Sequence, residues 1–246
     1  MGRCKVLINP RHEALRRFVE QLPDTFDVSG RLLHDGRNQV RLIEAEGQSW
    51  VVKRYKVPMW HQRLDYTFFR PSKARRAYLF GLRLTELHID TPEPVACLEQ
   101  YSAGLFRVGY FVSAYCPDAS ASVLRDQEHP DVQLTLAIAH ALADMHQKGV
   151  LHGDTNLSNF LYRADDSQWG YHITTIDVNR SKFGENLSFD QCTKNLCRVT
   201  HVRPLLQQIV EQYAQLRGWD PQRTLQSVIG YLDAFERKRA LRKKFK

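Results

Sequence analysis

Four polar residues stand in chain order where chemistry could be done. Lys53 lies inside the apolar run "WVVKRY", Asp154 and Asn159 lie five residues apart in "HGDTNLSN", and Asp177 closes the apolar run "ITTI". Taken singly, each has an ordinary structural reading: a lysine on an open sheet face, a turn residue, an aspartate capping a strand. Together, in this order, they are what phosphoryl transfer from ATP requires. That reaction needs the triphosphate held, its charge neutralised by a lysine and Mg²⁺, and the acceptor hydroxyl positioned. Mg²⁺ takes oxygen ligands and keeps several waters, so one carboxylate and one amide oxygen suffice. Asp177 and Asn159 would supply them, Asp154 would take the proton of the attacking hydroxyl, and Lys53 would pair with phosphate oxygens. His152 reads as a packing residue that shapes the loop, and Asn156 and Ser158 read as turn residues.

The elements around these residues follow from periodicity and caps. "NPRHEALRRFVEQL" reads as a first helix, with Asn9 as N-cap, Pro10 at the first helical position, and Leu15, Phe18, Val19 and Leu22 on one face. A glycine-containing loop, His34, Asp35, Gly36, Arg37 and Asn38, precedes two strands, "QVRLIEA" and "SWVVKRY", joined by the turn "EGQ". Ser72 caps the helix "KARRAYLFGLRLTEL", and the strands "PVACLEQ" and "LFRVGYFVSAY" follow. The first half is thus a strand-rich lobe with one main helix. "CPDASAS" marks a shift in composition, which divides the chain into residues 1–115 and 116–246. The second half opens with a helix over Pro130–Lys148, stopped by Gly149. Short strands "NFLYR" and "HITTIDVNR" flank the turn "ADDSQWG", and the chain reads as helical from Asn186 onward. The fold class is α+β, with a mostly helical second lobe.

Composition bounds the setting. The apolar share of 43% and charged share of 25% are those of a water-facing globular chain, and no apolar run reaches the roughly 18–20 residues that span a bilayer. The opening residues carry no apolar signal core, and Val6 misses the myristoylation pattern, so a cytoplasmic location is expected. Five scattered cysteines, with no C-x-x-C pair, read as reduced thiols. The net charge of +8 is concentrated in the last eleven residues, "ERKRALRKKFK", which hold seven Lys/Arg and one Glu. A second cluster holds Arg70, Lys73, Arg75 and Arg76. The tail is either a solvated end or a surface for an anionic membrane. Aromatic and basic residues are not interleaved as in RNA-binding surfaces, so no nucleic-acid partner is expected.

With these residues on the page, the chain resembles the protein-kinase-like superfamily. "HGDTNLSN" has the H-G-D-x-x-x-x-N form of small-molecule and lipid-sugar kinases such as aminoglycoside phosphotransferases. "VVKRYKVP", "TFFRPSKARRAY", "IDTPEP", "GYFVSAY", "HGDTNLSNFLY" and "IDVNRSKFG" are similar to the lipopolysaccharide core kinase family of the Kdo/WaaP type, over roughly Gly30 to Gly184. The resemblance implies a two-lobed protein-kinase-like fold and use of ATP and Mg²⁺. It implies phosphate transfer to a sugar hydroxyl of the inner core, Kdo or heptose on lipid A, at the cytoplasmic face of the inner membrane. It carries the phosphate lysine onto Lys53, the catalytic aspartate onto Asp154 and the metal ligands onto Asn159 and Asp177. It also sets the backbone of Ser113, Ala114 and Tyr115 against adenine and the loop His34–Asn38 over the phosphates.

Two departures stand out. "DVN" replaces Asp-Phe-Gly, and no acid lies near Leu79, where a helix glutamate would pair with Lys53. The only acidic residue from Ser72 to Leu87 is Glu86, two turns or about 10 Å farther along the helix axis. Either Glu86 is the partner or the lysine lacks its usual one. The alternatives to a lipopolysaccharide sugar kinase are a kinase of this fold acting on another small-molecule or protein hydroxyl, and a catalytically weak pseudokinase or nucleotide-binding scaffold.

Overall fold

The run from Gln39 to Arg54 must fold back on itself, because only Glu46 and Gly47 separate two alternating strands and both sit at positive φ, 49° and 73°. In the computed structural model, which describes residues 3–166 and 168–244, this hairpin belongs to a six-stranded antiparallel sheet. Its strands are β1 (Cys4–Ile8), β2 (Arg31–Asp35), β3 (Gln39–Ala45), β4 (Gln48–Arg54), β5 (Pro94–Ser102) and β6 (Leu105–Ala114), in the order β1-β5-β6-β4-β3-β2. One face is covered by α1 (Arg16–Thr25), where Val19 and Leu22, with Phe26 just beyond, pack against Val52, Leu98, Val108 and Val112. Each such fully buried side chain contributes about 1.5–3 kcal/mol. Helix α2 (Trp60–Phe68) brings Tyr66 onto Tyr101 and Phe106. Helix α3 (Lys73–Glu86), capped by the Ser72 hydroxyl, lays Ala74, Ala77 and Tyr78 on Cys97 and Tyr55. A Cβ on Gly109 of β6 would stand 2.7 Å from the Ala74 Cβ, so α3 seats on the sheet where a strand residue has no side chain.

The chain divides into two compact units, Met1–Pro117 and Asp118–Lys246. The second holds β7 (Ala119–Ser120), α4 (Val132–Gln147), β8 (Val150–Leu151), β9 (Phe160–Ala164), β10 (Tyr171–Thr175), β11 (Lys182–Phe183), α5 (Phe189–Leu196), α6 (Arg203–Leu216) and α7 (Pro221–Lys244). Strands β10, β9 and β7 form one small sheet and β11 and β8 another. Helix α4 starts where the Asp131 carboxylate accepts from the Leu134 N–H at 3.0 Å, and this bond lowers the Asp131 pKa. Its apolar spacing buries Leu134, Ile138, Leu142 and Met145, and it packs on α6, which buries Leu206, Ile209, Val210 and Tyr213.

Several sequence expectations need correction. The first helix opens as a 3-10 segment over Pro10–Leu15, with His12 off helical geometry, and becomes α-helical only at Arg16. Asn9 is the cap, but its amide also donates to the Pro94 carbonyl of β5, which ties the first turn to the sheet. His34 and Asp35 are not in a loop: they end β2, opposite Val40 and Gln39, and the turn is only Gly36–Asn38. Unit one adds α2 (Trp60–Phe68) to the two helices expected from the sequence, of which α3 is the longer. Strand β1 was not legible because its partner, β5, lies about 90 residues away. The basic tail is helical through Lys244; Phe245 and Lys246 lie outside the described residues. Arg203 of α6 pairs with Asp233 and Glu236 of α7 at 2.7 and 2.9 Å. All five cysteines are free thiols, as expected.

Buried histidines give the fold a pH dependence. His146 lies between the Tyr213 hydroxyl (2.7 Å) and the Asn195 amide oxygen (3.0 Å), and burial pushes its pKa down to about 4. Burial also lowers the pKa of His152. Both rings are neutral in the folded chain, whereas the unfolded chain takes up protons near pH 6.5. Stability is therefore complete above pH 6.5 and is lost as pH falls toward 4, by about 3 kcal/mol for His146 alone. Urea unfolding at pH 7 and at pH 4.5 should show that loss; a pH-independent midpoint over this range would contradict it.

Candidate active site

In the second unit the site is built around the backbone of one residue, Ile176. His152, fully buried after β8, places Nε2 3.0 Å from the Ile176 carbonyl, while its Nδ1 accepts from the Asp154 N–H at 3.2 Å. The ring is therefore the neutral Nε2–H tautomer. The Ile176 N–H donates to the Asn159 carbonyl at 2.9 Å. The Asn159 side-chain amide donates to the Asp154 carbonyl at 2.8 Å, which leaves its Oδ1 directed elsewhere. Asp177, next after Ile176, sits in the left-handed region at φ 58° and ψ 44°, and its carboxylate accepts from the Asn179 amide. Asp154, Asn159 and Asp177 are thus brought into one hydrogen-bonded network, and His152 organises it from below.

The Asp154 carboxylate is held on both oxygens. Arg180 meets Oδ2 at 3.0 Å and Arg198 meets Oδ1 at 2.9 Å. Arg198 also donates to the Gly153 carbonyl at 3.2 Å, and its guanidinium carbon lies 5.3 Å from the Phe235 ring centroid on α7. Sequence reasoning missed both arginines. Arg180 stands three residues past Asp177 and could have been flagged as a charge beside the motif; Arg198 follows α5 and has no spacing signal at all. Gly153, at φ 75°, passes so close to Arg180 that a Cβ would stand 2.4 Å from its carbonyl oxygen.

The first unit holds the other sequence candidates. Lys53 faces Val40 on β3 and Phe111 on β6, in a cross-strand row that continues to His34 on one side and Cys97 on the other. At the usual strand spacing His34 lies two strands, or roughly 10 Å, from Lys53. The Lys53 ammonium is 5.3 Å from the Tyr55 ring centroid. The turn beyond His34 is tied to the segment after β4 by the Lys56 N–H, which donates to the Asn38 side chain at 3.2 Å. The Glu86 pairing does not form as expected: Glu86 ends α3 in an exposed position and binds Arg83 at 2.8 Å, within its own helix. Ser113 and Ala114 end β6; the N–H of Ala114 donates to Glu93 and that of Tyr115 to Ser49, so these donors are engaged in the unit itself.

The donor set suits a hard divalent cation. Asn159 Oδ1 and the Asp177 carboxylate are one amide and one carboxylate oxygen donor. That is the protein share expected for an ion that keeps waters and shares phosphate oxygens with its substrate, not one caged by protein.

The chain is similar to the solved structure of WaaP in complex with acyl carrier protein, at 19% identity and a TM-score of 0.63, covering 95% of this chain and 97% of that one. That likeness is one of fold, and the fold is protein-kinase-like. Residues 34–202 match the lipopolysaccharide kinase (Kdo/WaaP) family, and the chain belongs to that family. A curated relative, the 3-deoxy-D-manno-octulosonic acid kinase of Vibrio vulnificus (strain YJ016), is 31% identical over 109 residues, which span 43% of this chain and 46% of the relative.

The contact at Gly153 can be tested without an activity assay. Gly153→Ala meets both a positive φ and the Arg180 carbonyl, whereas Gly170, at φ 70°, has open space around it. Gly153→Ala should cost about 2–3 kcal/mol more than a purely conformational penalty of about 1 kcal/mol at Gly170→Ala. Chemical denaturation of the two variants checks the ordering, and equal losses would remove the case for close approach.

Proposed function

We propose that the chain is an ATP-dependent kinase that phosphorylates a sugar hydroxyl of the lipopolysaccharide inner core, Kdo or heptose on lipid A. The observation that supports this most is the hydrogen-bonded network around Ile176, which ties the segments of Asp154, Asn159 and Asp177 together. Family membership supports the reaction class. The V. vulnificus relative acts on 3-deoxy-D-manno-octulosonic acid, which favours that sugar over heptose.

In this reading Asp154 accepts the proton of the sugar hydroxyl as its oxygen attacks the γ-phosphorus and ADP departs. Asn159 and Asp177 would hold Mg²⁺, which would neutralise charge on the phosphate oxygens. Lys53 pairs with phosphate oxygens, the segment His34–Asn38 lies over the phosphates, and the carbonyl edge of Ser113–Tyr115 meets adenine. Arg198 fixes the Asp154 carboxylate from the α7 side, and Arg180 holds the opposite oxygen. Arg237, Lys238, Arg239 and Arg242, all exposed on α7, face an anionic membrane that carries the glycolipid acceptor at its cytoplasmic face. No helix of the described residues is long and apolar enough to cross that membrane.

The test is incubation with labelled ATP and a panel of lipid A acceptors bearing Kdo, heptose or neither, followed by mass spectrometry. One added phosphate on the Kdo-bearing acceptor is expected, and no transfer to any member of the panel would refute the reading. Asp154→Asn should lower turnover by about 10²–10⁴-fold while ATP binding persists, and Asp177→Ala should abolish the Mg²⁺ dependence of ATP affinity. Wild-type turnover in the first variant would return Asp154 to the role of a turn residue.

Arg198→Ala should lower kcat by about 10–100-fold with ATP affinity nearly unchanged, because a misplaced reacting group costs rate before binding. Arg198→Lys should restore only part, since a lysine cannot span the Asp154 carboxylate and the Gly153 carbonyl together. An unchanged kcat in Arg198→Ala would show that the clamp is dispensable.

A further inference from the structure

Helix α2 turns its polar side inward. The Arg63 guanidinium donates to the Phe106 carbonyl at 2.8 Å, the Thr67 hydroxyl accepts from the Phe106 N–H at 2.9 Å, and Tyr66 is buried against Phe106. The outward side carries Trp60 and Phe68 at its two ends, with half-buried Leu64 between them. Trp60 is 71% exposed and Phe68 67%, and the flanking Met59 and Phe69 are 66% and 83% exposed. Single exposed apolar residues are ordinary, but a contiguous set rimmed by charge marks an interaction surface.

The rim is cationic. Beside Phe68 lies a pocket of about 450 Å³ whose walls include Arg3, Lys5, Thr67 and Tyr101, with no carboxylate among its lining residues. Lys5 stands 4.9 Å from the Tyr101 ring centroid. Exposed Lys56 and Arg70 bracket the helix, and the one acid of α2, Asp65, is paired with Arg70.

We propose that α2 is a membrane-contact element that seats in the headgroup region of an anionic bilayer. Trp60, Phe68 and Phe69 reach the acyl boundary, and the Arg3–Lys5 pocket takes a lipid phosphate. Amphipathic aromatic rings favour that depth, and basic side chains favour anionic headgroups. A second copy of the chain is a poor occupant, because it would bring two cationic rims together. The surface lies wholly within the first unit, whereas the basic end of α7 belongs to the second, and it does not depend on phosphotransfer.

Co-sedimentation with phosphatidylcholine vesicles, with and without phosphatidylglycerol, tests the proposal. The full chain should bind the anionic vesicles, with a part of the binding that survives high salt, since apolar insertion is not screened. Trp60→Ser/Phe68→Ser/Phe69→Ser should lower partitioning by about tenfold or more and remove the salt-resistant part. Deleting Arg237–Lys246 should remove mainly the salt-sensitive part. Should the triple variant fail to fold by circular dichroism, brominated lipid decides instead: it should quench the wild-type fluorescence more than that of Trp60→Phe. Unchanged partitioning in a folded triple variant, or equal quenching in wild type and Trp60→Phe, overturns the proposal. So does a variant that alters only self-association or capture of a protein partner. Phosphorylation of a delipidated acceptor should be the same in wild type and variant; its absence in both would count against the kinase reading and not against this surface.

Discussion

The backbone N–H and the carbonyl of Ile176 are both held, and the geometry of the second unit's site depends on them. The N–H goes to Asn159 and the carbonyl to His152. Each bond contributes only about 1 kcal/mol net, but leaving either group buried and unpaired would cost more than the bond contributes. The same imidazole that binds Ile176 through Nε2 receives the Asp154 N–H on Nδ1. Protonation of Nδ1 would remove that acceptor, so the position of Asp154 requires a neutral ring, which full burial maintains.

The first unit has a comparable constraint in steric form. Gly109 lets α3 approach the sheet at Ala74, and this sets the helix over the face that also carries Lys53, Phe111 and Cys97. The row from His34 through Val40 and Lys53 to Phe111 gives the lysine a fixed station between neighbours. A one-residue slip of β4 would send Lys53 to the α1 face, where Val52 and Trp50 now fill the core.

What could be read from the sequence was what lies close along the chain. The spacing of Asp154 and Asn159, the Ser72 cap, the 46–47 turn and the long apolar stripe of α4 are local signals, and the structure carries the corresponding elements. Strand β1, whose partner is far along the chain, and Arg198, reached only through tertiary packing, had no local signal. Helix α2 escaped for another reason: Trp60 and Phe68 face outward and its polar residues face the sheet, so amphipathic logic points the wrong way. Glu86 was one of two alternatives for Lys53, raised only because α3 holds no other acid, and elimination carries no information about which way a side chain points.

The left-handed backbone at Asp177 has a consequence for how this chain would respond to selection for robustness. A non-glycine residue in that conformation costs of order 1 kcal/mol, and glycine would relieve it. A search for thermostable variants that scored folding alone would therefore be drawn to Asp177→Gly and would discard the carboxylate at that position. Under the proposed function, stability and activity are in opposition at this single residue, and a screen that reads only one of them would miss the trade-off.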